Sequence, residues 1–258
     1  MKTKILSLVL AVIMVISSLS LVSCKKEKTP YEAVTEAIEN TLALDMVKVV
    51  LDENAKQKVD GSTQTQKTNI TSVFKGFNTE TPEYSTDLSI KTSGVTVDMG
   101  LYYKDGYFYL DALGSKTKVK EGKETDSYNV YDLVKSFFRM IPEEQFGEKT
   151  LEEGKIEFEL TPEVFEANFK EYIDRSVASV EAIGKINSKT FDNCKVGIEV
   201  KDGYVVSYSV SYDLKLKVKV QTQTFDIEVQ VTDDLKIVDP GKEVNVNVPS
   251  DLDEYDGF

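Results

Sequence analysis

Apolar and polar positions recur with two different periods along the chain, and each stretch predicts its own element. After Lys2 and Lys4, residues 5–22 form an uncharged, mostly aliphatic run. Thr29-Pro30-Tyr31-Glu32 has the form of a capping box with proline in the first helical position. Val34, Ile38, Leu42 and Met46 then recur at helical spacing, which predicts a helix over 30–54. Residues 56–77 are polar, rich in Thr and Gln, and predict one or two exposed strands. Period two follows. Tyr84, Thr86, Leu88 and Ile90 alternate with polar neighbours, as do Val95, Val97, Met99, Leu101 and Tyr103. Lys104-Asp105-Gly106 is a hairpin turn, and the chain returns over 107–113 to a short strand at 117–119. The charged stretch 121–126 is the best linker inside the chain.

Val130, Val134, Phe137, Phe138 and Ile141 share one helical face, and Pro142 ends that helix. Ile156, Phe158 and Leu160 predict a strand, after which Thr161-Pro162 opens a helix over 162–183 that stops at Gly184. The last third reads as strand. Val196, Ile198 and Val200 lead to a second Lys-Asp-Gly turn, read as a three-residue loop that sets Val200, Ile198 and Val196 opposite Tyr204, Val206 and Tyr208. The repeated Lys-Asp-Gly-Tyr hints at two helix-then-meander halves. Even positions from Val206 to Val220 are apolar. After Gln221 to Thr224 the apolar set moves to Phe225, Ile227, Val229 and Val231, so a hairpin lies between. Pairing Val220 with Phe225 and Leu216 with Val229 also sets Lys219 against Asp226 and Lys217 against Glu228.

A long strand that is apolar on one face belongs to an antiparallel sheet with a core on one side and water on the other. The expected fold class is therefore α+β, a curved antiparallel sheet (half-barrel) wrapping two or three amphipathic helices.

The N-terminus carries an address. A basic start, an apolar run and a small residue before a cysteine are the parts of a secretory signal. Leu21-Val22-Ser23-Cys24 resembles the bacterial lipobox, which implies acylation of Cys24 and cleavage before it. One acyl chain holds a protein only marginally, so two or more make the anchor. Lys25, Lys26 and Lys28 follow at the lipid surface. The expected organisation is a signal peptide at 1–23, a lipidated tether at 24–29, one α+β domain at 30–250 and a solvated acidic tail at 251–258. With Cys24 acylated, Cys194 has no disulfide partner and reads as a buried small hydrophobe.

Taken with the helices and meanders, this pattern resembles the LolA/LolB-like and LppX/LprG-like bacterial lipoprotein superfamily. The resemblance implies a location on the extracytoplasmic face of a bacterial cell membrane. It also implies a lipid or other hydrophobic ligand held between sheet and helices.

Charge and chemistry narrow the rest. The formal charge of −13 becomes −15 when Lys2 and Lys4 leave with the signal, which argues against nucleic acid as a partner. No histidine is present, which closes His-based catalysis and His-ligated metal sites. Ser72-Val73-Phe74-Lys75 matches a Ser-x-x-Lys motif without its companions, and Asp251 to Gly257 only faintly resembles a calcium loop. No cofactor and no enzymatic activity are expected. The 13 Tyr and 12 Phe carry the remaining signal. They either interlock as core or leave a cavity lined by Phe165, Phe169, Ile173, Tyr208 and Tyr212. Two function classes stay open: a binding module for a hydrophobic molecule, and a surface interaction lipoprotein with a solidly packed core.

Overall fold

The computed structural model describes residues 28–122, 125 and 128–257. Ten strands run antiparallel in one curved, unclosed sheet. They are β1 (Met46–Val59), β2 (Ser62–Lys75), β3 (Glu83–Thr92), β4 (Val95–Lys104), β5 (Tyr107–Ala112), β6 (Ser115–Lys120), β7 (Lys155–Glu159), β8 (Lys185–Lys201), β9 (Tyr204–Val220) and β10 (Gln223–Val238). A two-residue β11 (Asp256–Gly257) pairs parallel to β6. The order across the sheet is β11-β6-β5-β4-β3-β2-β1-β10-β9-β8-β7. Among the described residues, four α-helices accompany it: α1 (Pro30–Leu42), α2 (Val130–Phe137), α3 (Pro162–Asn168) and α4 (Lys170–Ile183).

Burial decides which face is inside. On β9, Tyr208, Val210, Tyr212, Leu214, Leu216 and Val218 are all buried, while Lys215, Lys217 and Lys219 are exposed. Each buried large side chain contributes about 1.5–3 kcal/mol, against roughly 0.2–1 for an exposed ion pair. The apolar positions therefore set the orientation and the lysines follow. Helices cover that inner face. Tyr212 meets Phe165 of α3 at 5.2 Å and Tyr172 of α4 at 6.1 Å, and Tyr208 meets Phe137 of α2 at 6.4 Å. Across β2 to β5, one ring per strand forms a ladder. Phe74, Tyr84, Tyr103 and Phe108 follow one another at 5.2, 5.1 and 4.8 Å between centroids.

Several sequence expectations are corrected. The leading helix has its capping box, with Thr29 and Glu32 bonding each other's backbone, but it ends at Leu42 instead of running to residue 54. The β-branched run Val47-Lys48-Val49-Val50-Leu51 buries alternate residues and is the start of β1. The helix expected over 162–183 is broken at Phe169, whose ψ of 22° ends α3 before α4 begins. The β9–β10 pairing lies two residues from the expected one. Val218 faces Phe225 and Lys217 faces Asp226, because Gln221-Thr222 forms a two-residue turn with Gln221 at φ +55°. A shift of two keeps every side chain on its face.

The second Lys-Asp-Gly turn is also two residues long, with Asp202 and Gly203 both at positive φ. A bulge at Glu199/Val200 then brings Ile198 opposite Tyr208 and Val196 opposite Val210. Val205, not Val206, is the buried residue at that end. The segment read as a solvated acidic tail is docked: Lys116 bonds both Asp251 and Glu254, and Tyr255 packs edge-on to Tyr109. Residues 1–27, which include the signal, Cys24, Lys25 and Lys26, lie outside the described residues. So do 123, 124 and 126 of the expected linker. Thr125 within that stretch is buried, its hydroxyl bonded to Gly122.

Candidate functional site

The five residues expected to line a cavity come together on the inner face. Phe165, Phe169 and Tyr208 are fully buried or nearly so, as are Ile173 and Tyr212. Phe165 and Phe169 stack at 5.0 Å, and Phe165 also meets Phe191 at 5.7 Å. The Tyr208 hydroxyl donates to the Arg139 carbonyl at 3.1 Å. These rings interlock. Of the five, Tyr212 lines the cleft described next.

That opening is a cleft of about 400 Å³ beside the aromatic cluster, between α4 and the sheet. Its position follows from the ladder register. Three paired rows make the floor: Gln64–Gln57–Val229–Leu214, Gln66–Ala55–Val231–Tyr212, and Glu53–Asp233. Arg175, Ser176 and Val180 of α4 form the opposite wall, and Leu216 continues the apolar side. The cleft is thus apolar along β9 and at Val229 and Val231 of β10, and mostly polar along β1 and β2. A larger hollow, about 700 Å³, borders Glu148, Lys149, Glu152, Glu153, Lys155 and Glu157, with Ile156 its one apolar wall. That hollow is a charged loop surface, so the α4 cleft is the better site.

At the inner end of the cleft sits an acid pair where the alternation calls for apolar residues. Glu53 and Asp233 are direct cross-strand partners, and Asp233 is only 2% exposed. Tyr172 donates its hydroxyl to Asp233 Oδ2. Asp233 Oδ1 is buried with no hydrogen-bond partner among the described residues. Burial, then the neighbouring Glu53, pushes the Asp233 carboxyl up to about 8. Burial likewise raises Glu53, partly offset by a hydrogen bond from Thr68. Burial raises Tyr212 to about 12; its hydroxyl lies beside Ser176 and Tyr172 without meeting hydrogen-bond geometry to either. Arg175 is held by Asp132 and the Asn129 carbonyl at 3.3 and 3.5 Å.

Other sequence features find plainer places. Ser72 is buried and bonded to Thr86 at 2.7 Å, on a strand where Lys75 points to the opposite face. The two side chains of the Ser-x-x-Lys motif therefore cannot act together. Cys194 is buried, and its thiol is pushed up to about 11, first by burial and then by Asp192 and Asp213. Among the described residues, no helix is long and apolar enough to cross a membrane.

Glu53 and Asp233 were missed from sequence. Asp233 carried a signal, since it continues the odd-numbered inner parity of Phe225 to Val231 before Leu235 and Ile237. Glu53 carried none while its segment was read as helix.

No family model and no curated protein matches the chain. Among solved structures, it is similar to LprF from Mycobacterium bovis over 85% of this chain and 96% of that one, with 9% identity and a TM-score of 0.35. It is also similar to lipovitellin, in a structure titled for lipid–protein interactions, with 8% identity and a TM-score of 0.37. That match covers 80% of this chain and 26% of lipovitellin. Likenesses at these scores assign no function; the cleft stands on its own geometry.

Proposed function

We propose that the protein is a lipoprotein held on the extracytoplasmic face of a bacterial membrane through acylated Cys24, and that it binds a small hydrophobic or amphipathic molecule in the α4 cleft. The lipobox and its preceding basic and apolar segments support the anchor. A tether at 24–29 then leads into one domain at 30–250, a reading supported by the single sheet that spans β1 to β10. The observation that carries the binding role is the cleft itself. Its volume of about 400 Å³ falls within the usual range for small-molecule sites, roughly 300–1,000 Å³. Val229 and Val231 on its floor stay partly exposed, although the rings beside them pack closely. No reaction is assigned to the site.

Native mass spectrometry of the protein purified from cells tests this. A bound small molecule should be retained by the parent chain and lost in Leu216→Trp, whose larger ring fills the cleft. The mass of the acylated chain with nothing further bound, even after incubation with phospholipid, would replace the binding reading with a surface interaction role. The interlocked Phe165–Phe169–Tyr212 cluster favours that second reading.

A further inference from the structure

The cleft has a chemical polarity that a simple hydrocarbon site lacks. Its inner end presents Glu53 and Asp233 side by side, on directly paired positions of β1 and β10. Side chains at such positions lie about 4.5–5.5 Å apart at Cβ, and like charges there are unfavourable. Tyr172 serves one oxygen of Asp233, and the other, Oδ1, is buried without a partner among the described residues. An unmet buried acceptor is costly. A donor carrying positive charge answers both problems at once.

We propose that the cleft is selective for an amphipathic amine, whose protonated nitrogen enters between Glu53 and Asp233 while its hydrocarbon lies along Leu214, Val229 and Val231. The ammonium donates to Asp233 Oδ1 and to Glu53, and the apolar side of the same cleft takes the chain attached to it. A bare metal ion fits less well. Hard cations take six or more oxygens, and no larger cluster of metal-binding residues occurs among the described residues. A carboxylate ligand would meet the acid pair head-on, so a fatty acid is disfavoured at this end. The inference rests on the binding role proposed for the cleft, and it adds the headgroup.

Binding should respond to pH. The groups around Asp233 are Glu53 on β1, Tyr212 on β9, Tyr172 and Arg175 on α4, and Asp234 on its own strand. Burial raises both carboxyls, Asp233 to about 8, and both must be ionised to hold an ammonium. Amine affinity should therefore rise as pH increases, with proton release on binding near neutrality.

The test uses the full chain in lipid nanodiscs, with empty nanodiscs as the blank, and isothermal titration of phenylbutylamine, phenylbutanol and phenylbutyrate. The amine should bind tightest, by about tenfold or more over the carboxylate, and should gain affinity from about pH 6 to about pH 9 while the alcohol does not. Asp233→Asn should weaken the amine about tenfold, affect the alcohol far less, and flatten the pH dependence of the amine. Glu53→Gln, at a partly exposed position, gives the same comparison if the Asp233 variant does not fold. Phenylbutyrate binding as tightly as the amine would overturn the selectivity while leaving the cleft a binding site. No heat above the blank from any of the three would overturn both.

Discussion

Asp233 ties folding to pH, because an inward-facing acid binds its proton more tightly in the folded chain than in the unfolded one. Its carboxyl lies near 3.8 when unperturbed and near 8 when folded. A group raised in this way contributes most below about pH 4, and that contribution is lost as pH rises through 8. Glu53, raised in the same direction, adds to the trend. Asp233→Asn removes the titration, so its stability relative to the parent should improve between pH 5 and pH 8. One proton permits a slope of at most about 1.4 kcal/mol per pH unit. Urea denaturation at several pH values measures the slope, and a difference that does not change with pH would show that Asp233 titrates as it does in water. This residue was half legible in advance. Its odd-numbered parity on β10 is visible in the sequence, but its partner Glu53 becomes apparent only once β1 is seen as a strand.

Elements were legible wherever one periodicity ran uninterrupted, and they failed at junctions. The alternation along β9 and β10 survives folding because burial of one face enforces it, whereas on β4 Leu101, Tyr102 and Tyr103 are all buried and Val95 is exposed. The stretch after Leu42 misled because Val34, Ile38, Leu42 and Met46 fit a period of 3.6, while Val47, Val49 and Leu51 fit a period of two. The second pattern wins: β1 pairs on both sides, and each large buried residue there is worth about 1.5–3 kcal/mol. Register was off by two because a turn's length depends on backbone geometry at Gln221, which hydrophobic pattern does not encode. The cleft was displaced from its expected place for a related reason. Ring content shows that aromatics are buried, but not whether they interlock. The short α1 is locked to the sheet by Thr41, whose hydroxyl donates to the Ala37 carbonyl at 2.7 Å and accepts the Val205 N–H at 2.9 Å. Thr41→Val keeps the shape and strands that buried N–H, so it should cost about 1–3 kcal/mol, read as a lower urea midpoint. Thr29→Ala, which removes the helix cap, should cost about 1 kcal/mol by the same measurement.

For the whole molecule, the proposed anchor and the fold are separable. Cys24→Ala should move the protein from the membrane fraction to the soluble fraction and abolish incorporation of a clickable fatty acid. The circular dichroism spectrum should be unchanged, because Cys24 lies outside the sheet, whose first strand begins at Met46. Label retained by that variant would place the anchor elsewhere. Separately, an unclosed sheet has two exposed margins, and each is a template for pairing with another chain. On one side the margin is β7, five residues long and flanked outward by Lys155, Glu157 and Glu159. On the other side, β6 is covered by residues 251–257, which lay Asp256 and Gly257 along Thr117 and Lys118 while Lys116 clasps Asp251 and Glu254. The acidic segment thus covers the β6 edge, which would otherwise be open to another chain. Removing residues 251–258 should leave the fold intact but let β6 pair between molecules, seen as concentration-dependent dimers and higher oligomers in size-exclusion chromatography.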